Sequence, residues 1–265
     1  MQTLQVLVAT MNQMDCSLYS KMNINSDALI INQCDKTAYS SFYAGDNKIE
    51  MYSFAERGLS KSRNNALMRA SADIICIADD DMTYSDTYKT DILNEFQKHP
   101  EADAILFYVE SLNGIRPRTK IKKFEKLNRF EYRKFSSVNI AIKREKLIYS
   151  NIWFNTVFGS GSKYNCGEDT IFLKDLLDKG FRVYKSPIKI ADVDFGESTW
   201  FSGYNQEHFY NKGALIAAIY PVLWPLVAVL QSLRNSKRKL GSYSQIFPLF
   251  SWYYAGIKDY KGKIR

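Results

Sequence analysis

Residues 74–81 read Ile74-Ile75-Cys76-Ile77-Ala78-Asp79-Asp80-Asp81, five apolar residues running straight into three carboxylates. A short apolar run rich in β-branched residues fits a strand buried on both faces. Three acids at its exit repel one another, and burying them is costly unless a cation compensates. A hard divalent cation that also bridges phosphate oxygens supplies that charge. The competing reading is a cap on the next helix, where acids favour the helix dipole. One Asp suffices for a cap, and Ser85 or Asp86 is better placed to be it. Metal–phosphate chemistry is therefore the stronger reading.

Working outward, Leu4–Ala9 and Ala28–Ile31 are further apolar strands, and Ile49–Phe54 is a weaker one. A helix is expected from Gly58-Leu59-Ser60 to about Arg69. Beyond the acidic triplet come a helix near Asp86–Lys98, halted before Pro100, and the strand Ala104–Val109. Val138–Ile142 reads as another strand, and a helix over Glu168–Lys179 stops at Gly180. Phe181–Tyr184 and Ile188–Val193 are further strand-like runs. This alternation predicts an α/β domain with a mostly parallel, Rossmann-like sheet flanked by helices. Its ligands should lie beyond the carboxyl ends of the strands.

With 46% hydrophobic and 24% charged residues, the chain of 265 residues is excluded from the disordered class. Its net charge of +8 is unevenly spread. Residues 116–146 hold twelve Lys and Arg against three Glu, a net +9, and residues 234–265 hold eight against one Asp, a net +7. The rest of the chain is therefore net −8. Cysteines at 16, 34, 76 and 166 form no CxxC pair, which argues against a zinc site or a disulfide framework. Met1–Leu4 leads into an apolar run without a basic start, so no secretory leader is expected. A reducing cytoplasm is the expected compartment.

Two more constellations carry chemistry. Glu168-Asp169 opens a helix, and a carboxylate fixed there can serve as a general base toward a hydroxyl, or simply cap the helix. Glu56–Asn65 puts a glycine, serines and cations at a helix start, an arrangement that can bind an anion. Residues 213–233 carry no charge, but Pro221 and Pro225 interrupt them and Arg234, Lys237, Arg238 and Lys239 follow. The expectation is a catalytic body over 1–212 and an appendage, helical and partly apolar, over 213–265. The appendage is expected to lie on a membrane surface or at an oligomer interface.

The ordered set Thr10-Met11-Asn12, Asp35, Gly58-Leu59-Ser60-x-Ser62-Arg63-Asn64, Asp79-Asp80-Asp81 and Gly167-Glu168-Asp169 resembles a family 2 glycosyltransferase, with the GT-A fold, from about residue 3 to 200. The resemblance implies a nucleotide-sugar donor, taken as UDP-linked, held with Mn²⁺ or Mg²⁺. It implies that Thr10, Asn12 and Asp35 surround the nucleoside, with Asp35 reading the base, and that Arg63 lines the nucleotide pocket. Asp79 and Asp81 match the family's Asp-x-Asp motif, with Asp80 between them on the donor side. Asp79 would lie near the ribose or metal, and Asp81 would be a metal ligand. Asp169, beside Glu168, matches the base that deprotonates the acceptor hydroxyl for an inverting displacement.

Departures bear on this. Asn32-Gln33-Cys34-Asp35 replaces the Asp-Asp-Gly-Ser of many relatives. Where many place a His after the last core strand, residues 192–198 read Asp-Val-Asp-Phe-Gly-Glu-Ser, and His208 is the nearby candidate for a metal or diphosphate contact. No Gln-x-x-Arg-Trp follows Asp169, so one sugar per acceptor is expected rather than processive synthesis. The acceptor is expected to be a glycan or a lipid-pyrophosphate at the inner face of the cell membrane, as in surface polysaccharide synthesis. Arg116, Arg118, Lys120, Lys122, Lys123 and Lys126 are candidates to meet it, or form a solvated face. The rival class is a metal-dependent nucleic-acid-binding protein or nuclease using the basic segments. A nucleic-acid binder leaves the carboxylates without purpose unless a metal intervenes, so nucleic acid is not the expected partner. A sugar-nucleotide pyrophosphorylase would need a Gly-rich loop where Ala9-Thr10-Met11-Asn12 stands.

Overall fold

The computed structural model describes residues 2–112, 119–194 and 203–263. In chain order the elements are β1 (Leu4–Met11), α1 (Leu18–Lys21), β2 (Asp27–Gln33), β3 (Ala38–Ala44), β4 (Asn47–Phe54), α2 (Leu59–Arg69), β5 (Ile74–Asp79), β6 (Met82–Tyr84) and α3 (Tyr88–Lys98). They continue with β7 (Ala104–Ser111), β8 (Glu125–Lys126), β9 (Ile140–Lys143), α4 (Arg144–Tyr149), α5 (Glu168–Asp178) and β10 (Val183–Val193). Three helices close the chain: α6 (Gln206–Ile219), α7 (Trp224–Leu240) and α8 (Ile246–Lys263).

The strands form one sheet in the order β3-β4-β2-β1-β5-β9-β7-β10-β6, with β8 paired to β10. The run β4-β2-β1-β5 is parallel, and β9 then enters antiparallel between β5 and β7. Central strands are apolar on both faces because both are covered. Leu4, Val6 and Val8 of β1 meet Tyr88, Ile92 and Phe96 of α3 on one side. Leu7 meets Ala66 and Leu67 of α2 on the other, in a cluster that Phe172, Leu173 and Leu176 of α5 complete. Each such side chain, fully buried, contributes about 1.5–3 kcal/mol.

Local differences from the sequence reading have physical causes. The two runs at 181–184 and 188–193 are one strand, β10, whose pairing with β7 shifts register between Ser186 and Lys189. β3 gave no strand signal because it lies at an edge with nearly every residue exposed, so no alternation marks a buried face. The 213–233 stretch is not one element: Pro221 sits between α6 and α7, and Pro225 opens α7.

The expected boundary at 212/213 falls inside α6. That helix packs on α7 and α8 through Phe209, Ile216 and Ala217, and on the body through Ala214, Leu215 and Ile219 against Phe158, Tyr164 and Ile171. α6 and α8 cross backbone to backbone. A Cβ at Gly213 would lie 2.1 Å from the Tyr253 carbonyl oxygen, and one at Gly256 would lie 1.9 Å from that of Tyr210. Asp259 of α8 accepts the Tyr164 hydroxyl at 2.6 Å and pairs with Lys163, tying the last helix to the body. Among the described residues no helix is long and apolar enough to cross a membrane.

Candidate active site

Arg63, near the middle of α2, is the hub. Its side chain is 3% exposed, and its Nη2 donates to Asp79 Oδ1 at 2.7 Å. Nη1 donates to Asp169 Oδ1 at 2.8 Å and lies 3.5 Å from Glu168 Oε1. The Phe154 ring sits 5.2 Å from the guanidinium. One cation thus joins the end of β5 to the start of α5. Burial alone would make Arg63 easier to deprotonate, but the charges of Asp79, Asp169 and Glu168 hold its pKa above the ordinary value. Three carboxylates share this one guanidinium, and Glu168 is the loser. Burial first, then the charge of Asp169, push its carboxyl up to about 7 against the pull of Arg63.

The elements that place these groups are legible locally. Gly167 caps α5 at φ +113°, a conformation costly for any residue with a Cβ, and a Cβ there would lie 2.7 Å from Leu215 Cδ1. Glu168 and Asp169 then fall in the first helical turn, where the dipole favours acids. The Asn64 amide clamps Phe154 in both directions, donating to its carbonyl and accepting its N–H, each at 2.8 Å.

The expected anion-binding helix start is corrected. Ser60 turns inward to the Phe158 carbonyl at 2.7 Å, and Ser62 to that of Ile31 at 3.5 Å. The Leu59 N–H is taken by the Ser160 carbonyl at 2.9 Å, and Lys61 pairs with Glu56 at 3.1 Å. Burial inside α2 converts this motif from a phosphate cradle into scaffolding.

The remaining donor-side residues gather at the carboxyl ends of the adjacent strands β2, β1 and β5. Thr10 donates its hydroxyl to Asp80 Oδ2. Asn12, at φ +54°, is exposed, and its N–H meets the Gln33 carbonyl at 3.0 Å. Asp35 stands on the rim, its side chain 96% exposed and paired with Arg57 at 2.6 Å. The sequence reading missed Asn32 and Gln33. Asn32 brackets the Gln13 backbone, accepting its N–H and donating to its carbonyl, each at 2.9 Å. Gln33 Oε1 accepts the Gly58 N–H at 2.7 Å. Their signal is two amides ending an apolar strand, where side chains must bond locally or to a ligand.

The profile of the family described as Glycosyl transferase family 2 matches residues 30–162, half of the chain. The chain belongs to that family. The match includes Asp35, Arg63 and Asp79–Asp81, and leaves Thr10, Asn12 and Glu168-Asp169 outside. No curated protein matches this glycosyltransferase significantly. Among solved structures, S. aureus TarS 1-349 in complex with UDP-GlcNAc superposes with a TM-score of 0.61 at 15% identity, over 97% of this chain and 89% of that one. TarS 1-349 in complex with UDP gives 0.59 at 14% identity, over 97% and 88%. The longer S. aureus TarS chain gives 0.58 at 14%, over 95% of this chain and 43% of that one. At this identity the likeness establishes the GT-A fold.

The metal ligand set expected for this glycosyltransferase, Asp79, Asp81 and His208, does not assemble. Among the described residues no three His, Cys, Asp or Glu side chains form a group able to hold a metal ion. His208 instead stacks edge-on with Tyr204, and burial together with the charges of Lys212 and Lys239 lowers its pKa to about 4. Cations beside it disfavour a dication there. The antiparallel pairing of β6 with β10 brings the backbone of Asp194 beside that of Asp81, the Asp194 N–H donating to the Asp81 carbonyl at 3.0 Å. Carboxylates of the acidic triplet are hard oxygen donors of the kind a Mg²⁺ or Mn²⁺ accepts when its other ligands come from phosphate and water. Residues 195–198 of the departure noted above lie outside the described residues.

The glycosyltransferase has a cavity of about 280 Å³ whose lining includes Thr170, the residue that follows Asp169 in α5. Arg133, His208, Lys212 and Lys239 form its polar part, and Ile216 and Val227 lie in its apolar part. Four of the twelve cations in the basic segment at 116–146 form internal ion pairs among the described residues. Lys123 pairs with Glu125 at 3.3 Å, Lys134 with Glu131 at 2.7 Å and Lys146 with Asp103 at 2.7 Å, and Arg129 pairs with Asp178. Arg116 and Arg118 lie outside the described residues.

Proposed function

We propose that this chain is an inverting, non-processive glycosyltransferase moving one sugar from a UDP-linked donor to a hydroxyl of a lipid-phosphate-linked acceptor, at the inner face of a cell membrane. The observation that carries it is Arg63, which locks Asp79 of the donor motif and Asp169 of the base position into one network. The fold shared with TarS structures holding UDP-GlcNAc and UDP supports the donor. The acceptor rests on the cavity that Thr170 lines one residue past Asp169, whose cations suit a phosphate and whose apolar wall suits a chain.

Thr10, Asn12 and Asp35 would receive the nucleoside at the strand ends. Asp81 with Asp194 would hold a divalent cation, which would supply charge stabilisation to the departing diphosphate. Asp169 takes the acceptor proton. Arg63 engages its Oδ1, and among the described residues its Oδ2 has no hydrogen-bond donor, so that oxygen is the one for the hydroxyl. Attack on the anomeric carbon opposite the leaving diphosphate gives inversion. The division into a body over 1–212 and helices over 213–265 is kept as a functional one: donor and base on the first, acceptor presentation on the second.

The test pairs two variants in thermal shift and sugar transfer, with UDP-sugars and Mn²⁺. Asp81→Ala should abolish metal-dependent donor stabilisation. Asp169→Asn should keep it and slow transfer by about 10²–10⁴-fold. Normal transfer by Asp169→Asn would remove it from the role of base.

A further inference from the structure

Helix α7 carries large apolar side chains on its outward face. Toward the fold it presents Ala228, Ser232 and Ser236, at 0%, 1% and 0% exposure, spaced by four on one face. Away from it stand Leu226, Val229, Leu230 and Leu233, 59%, 45%, 54% and 44% exposed, with the i, i+3, i+4, i+7 spacing of an apolar stripe. Val222 and Leu223, 81% and 59% exposed, carry the stripe back across the preceding turn. Phe247, 85% exposed, stands in the first turn of α8. A surface helix ordinarily buries its large apolar residues and shows its small polar ones. Here Trp224, Val227 and Leu240 pack inward beside the small residues, but a second set of large apolar side chains faces out, and among the described residues nothing covers it.

Charge identifies the partner. Lys237 continues the stripe one turn past Leu233, with Arg234 and Arg238 exposed on its flank. A second copy docking on this face with its α7 parallel would bring two such clusters together, which repel, and an antiparallel one would set each cluster against the apolar start of the other helix. An anionic bilayer accepts both features, apolar side chains below the headgroups and cations among them. We infer that the outward face of α7 lies in the plane of an anionic lipid surface, anchored by Leu226, Val229, Leu230 and Leu233 and by Arg234, Lys237 and Arg238. α7 lies along the surface and does not cross it, having 17 residues and no membrane-spanning character. Its other flank, Val227, Gln231, Asn235 and Lys239, lines the cavity that Thr170 borders, so docking brings that cavity toward the headgroups. The inference deepens the membrane placement of the proposed function, and sugar transfer to a soluble acceptor retained by a chain that ignores vesicles would remove the placement and leave the transferase reading.

The test is flotation of the full chain with phosphatidylcholine vesicles, with and without phosphatidylglycerol. The wild type should float with the anionic vesicles and less with the neutral ones, and salt should weaken it. Leu226→Glu with Leu230→Glu should reduce binding to anionic vesicles by at least about tenfold. Arg234→Gln, Lys237→Gln and Arg238→Gln should each cost about fivefold at low salt. Both Leu side chains are over half exposed, so unchanged melting checks that the fold survives. Wild-type protein that ignores anionic vesicles overturns the inference, as does a Leu226→Glu, Leu230→Glu variant that floats normally. So does a dimer, seen by light scattering, that this variant breaks while vesicles go unbound.

Discussion

Around Arg63 the chain buries charges and pairs them; in α7 it exposes large apolar side chains and buries alanine and serine. Both invert the usual partition between core and surface, and each inversion has its own resolution. At the centre the resolution is internal: one guanidinium spans carboxylates from two elements, so none is buried alone. In α7 no internal group answers the exposed stripe among the described residues, so the answer lies outside the fold. A buried charge with partners is thus a site already assembled, whereas an exposed apolar stripe is half of one.

The strongest way to break this contrast is Arg63→Met. It strips the partner from buried carboxylates and should cost about 3–5 kcal/mol in denaturant unfolding. Arg63→Lys should not restore it, because one ammonium cannot fork between Asp79 and Asp169. A variant of unchanged stability would mean that the pairing is incidental. Next in size is Gly256→Ala at the α6–α8 crossing. The added Cβ meets a backbone carbonyl that no rotamer change can move, so about 1–3 kcal/mol should be lost in thermal melts. That loss would show that the C-terminal layer is packed as firmly as the body, despite the exposed face of α7.

A further way to test the contrast is pH. The Glu168 pKa is raised from 4.5 to about 7, so the folded state holds a proton that the unfolded state has released between those values. Its contribution to stability is full below about 4.5 and is lost as pH rises through about 7. Melting temperature should therefore fall over that window, and Glu168→Gln should flatten the fall. An unchanged slope in Glu168→Gln would assign the pH dependence to other groups.

Much of this was legible along the chain. The apolar runs at 4–9, 28–31 and 74–78 mark central strands because helices cover both of their faces. The acids at 79–81 and 168–169 were visible as motifs because burying carboxylates has few explanations. His208 was named as a candidate metal or diphosphate contact from residue type alone, and type does not disclose the lysines that surround it. Asp194 reaches Asp81 only through the β6–β10 register, which no local pattern encodes.

By itself the sequence determined the α/β alternation, the acidic strand exit and the paired acids at a helix start, since each is a short-range pattern of polarity and backbone preference. Tertiary structure alone decided that Arg63 belongs to carboxylates 16 and 106 residues away, and which face of α7 points outward. Helical periodicity defines two faces. Only packing, here against the small side chains Ala228, Ser232 and Ser236, settles which one the protein keeps for itself.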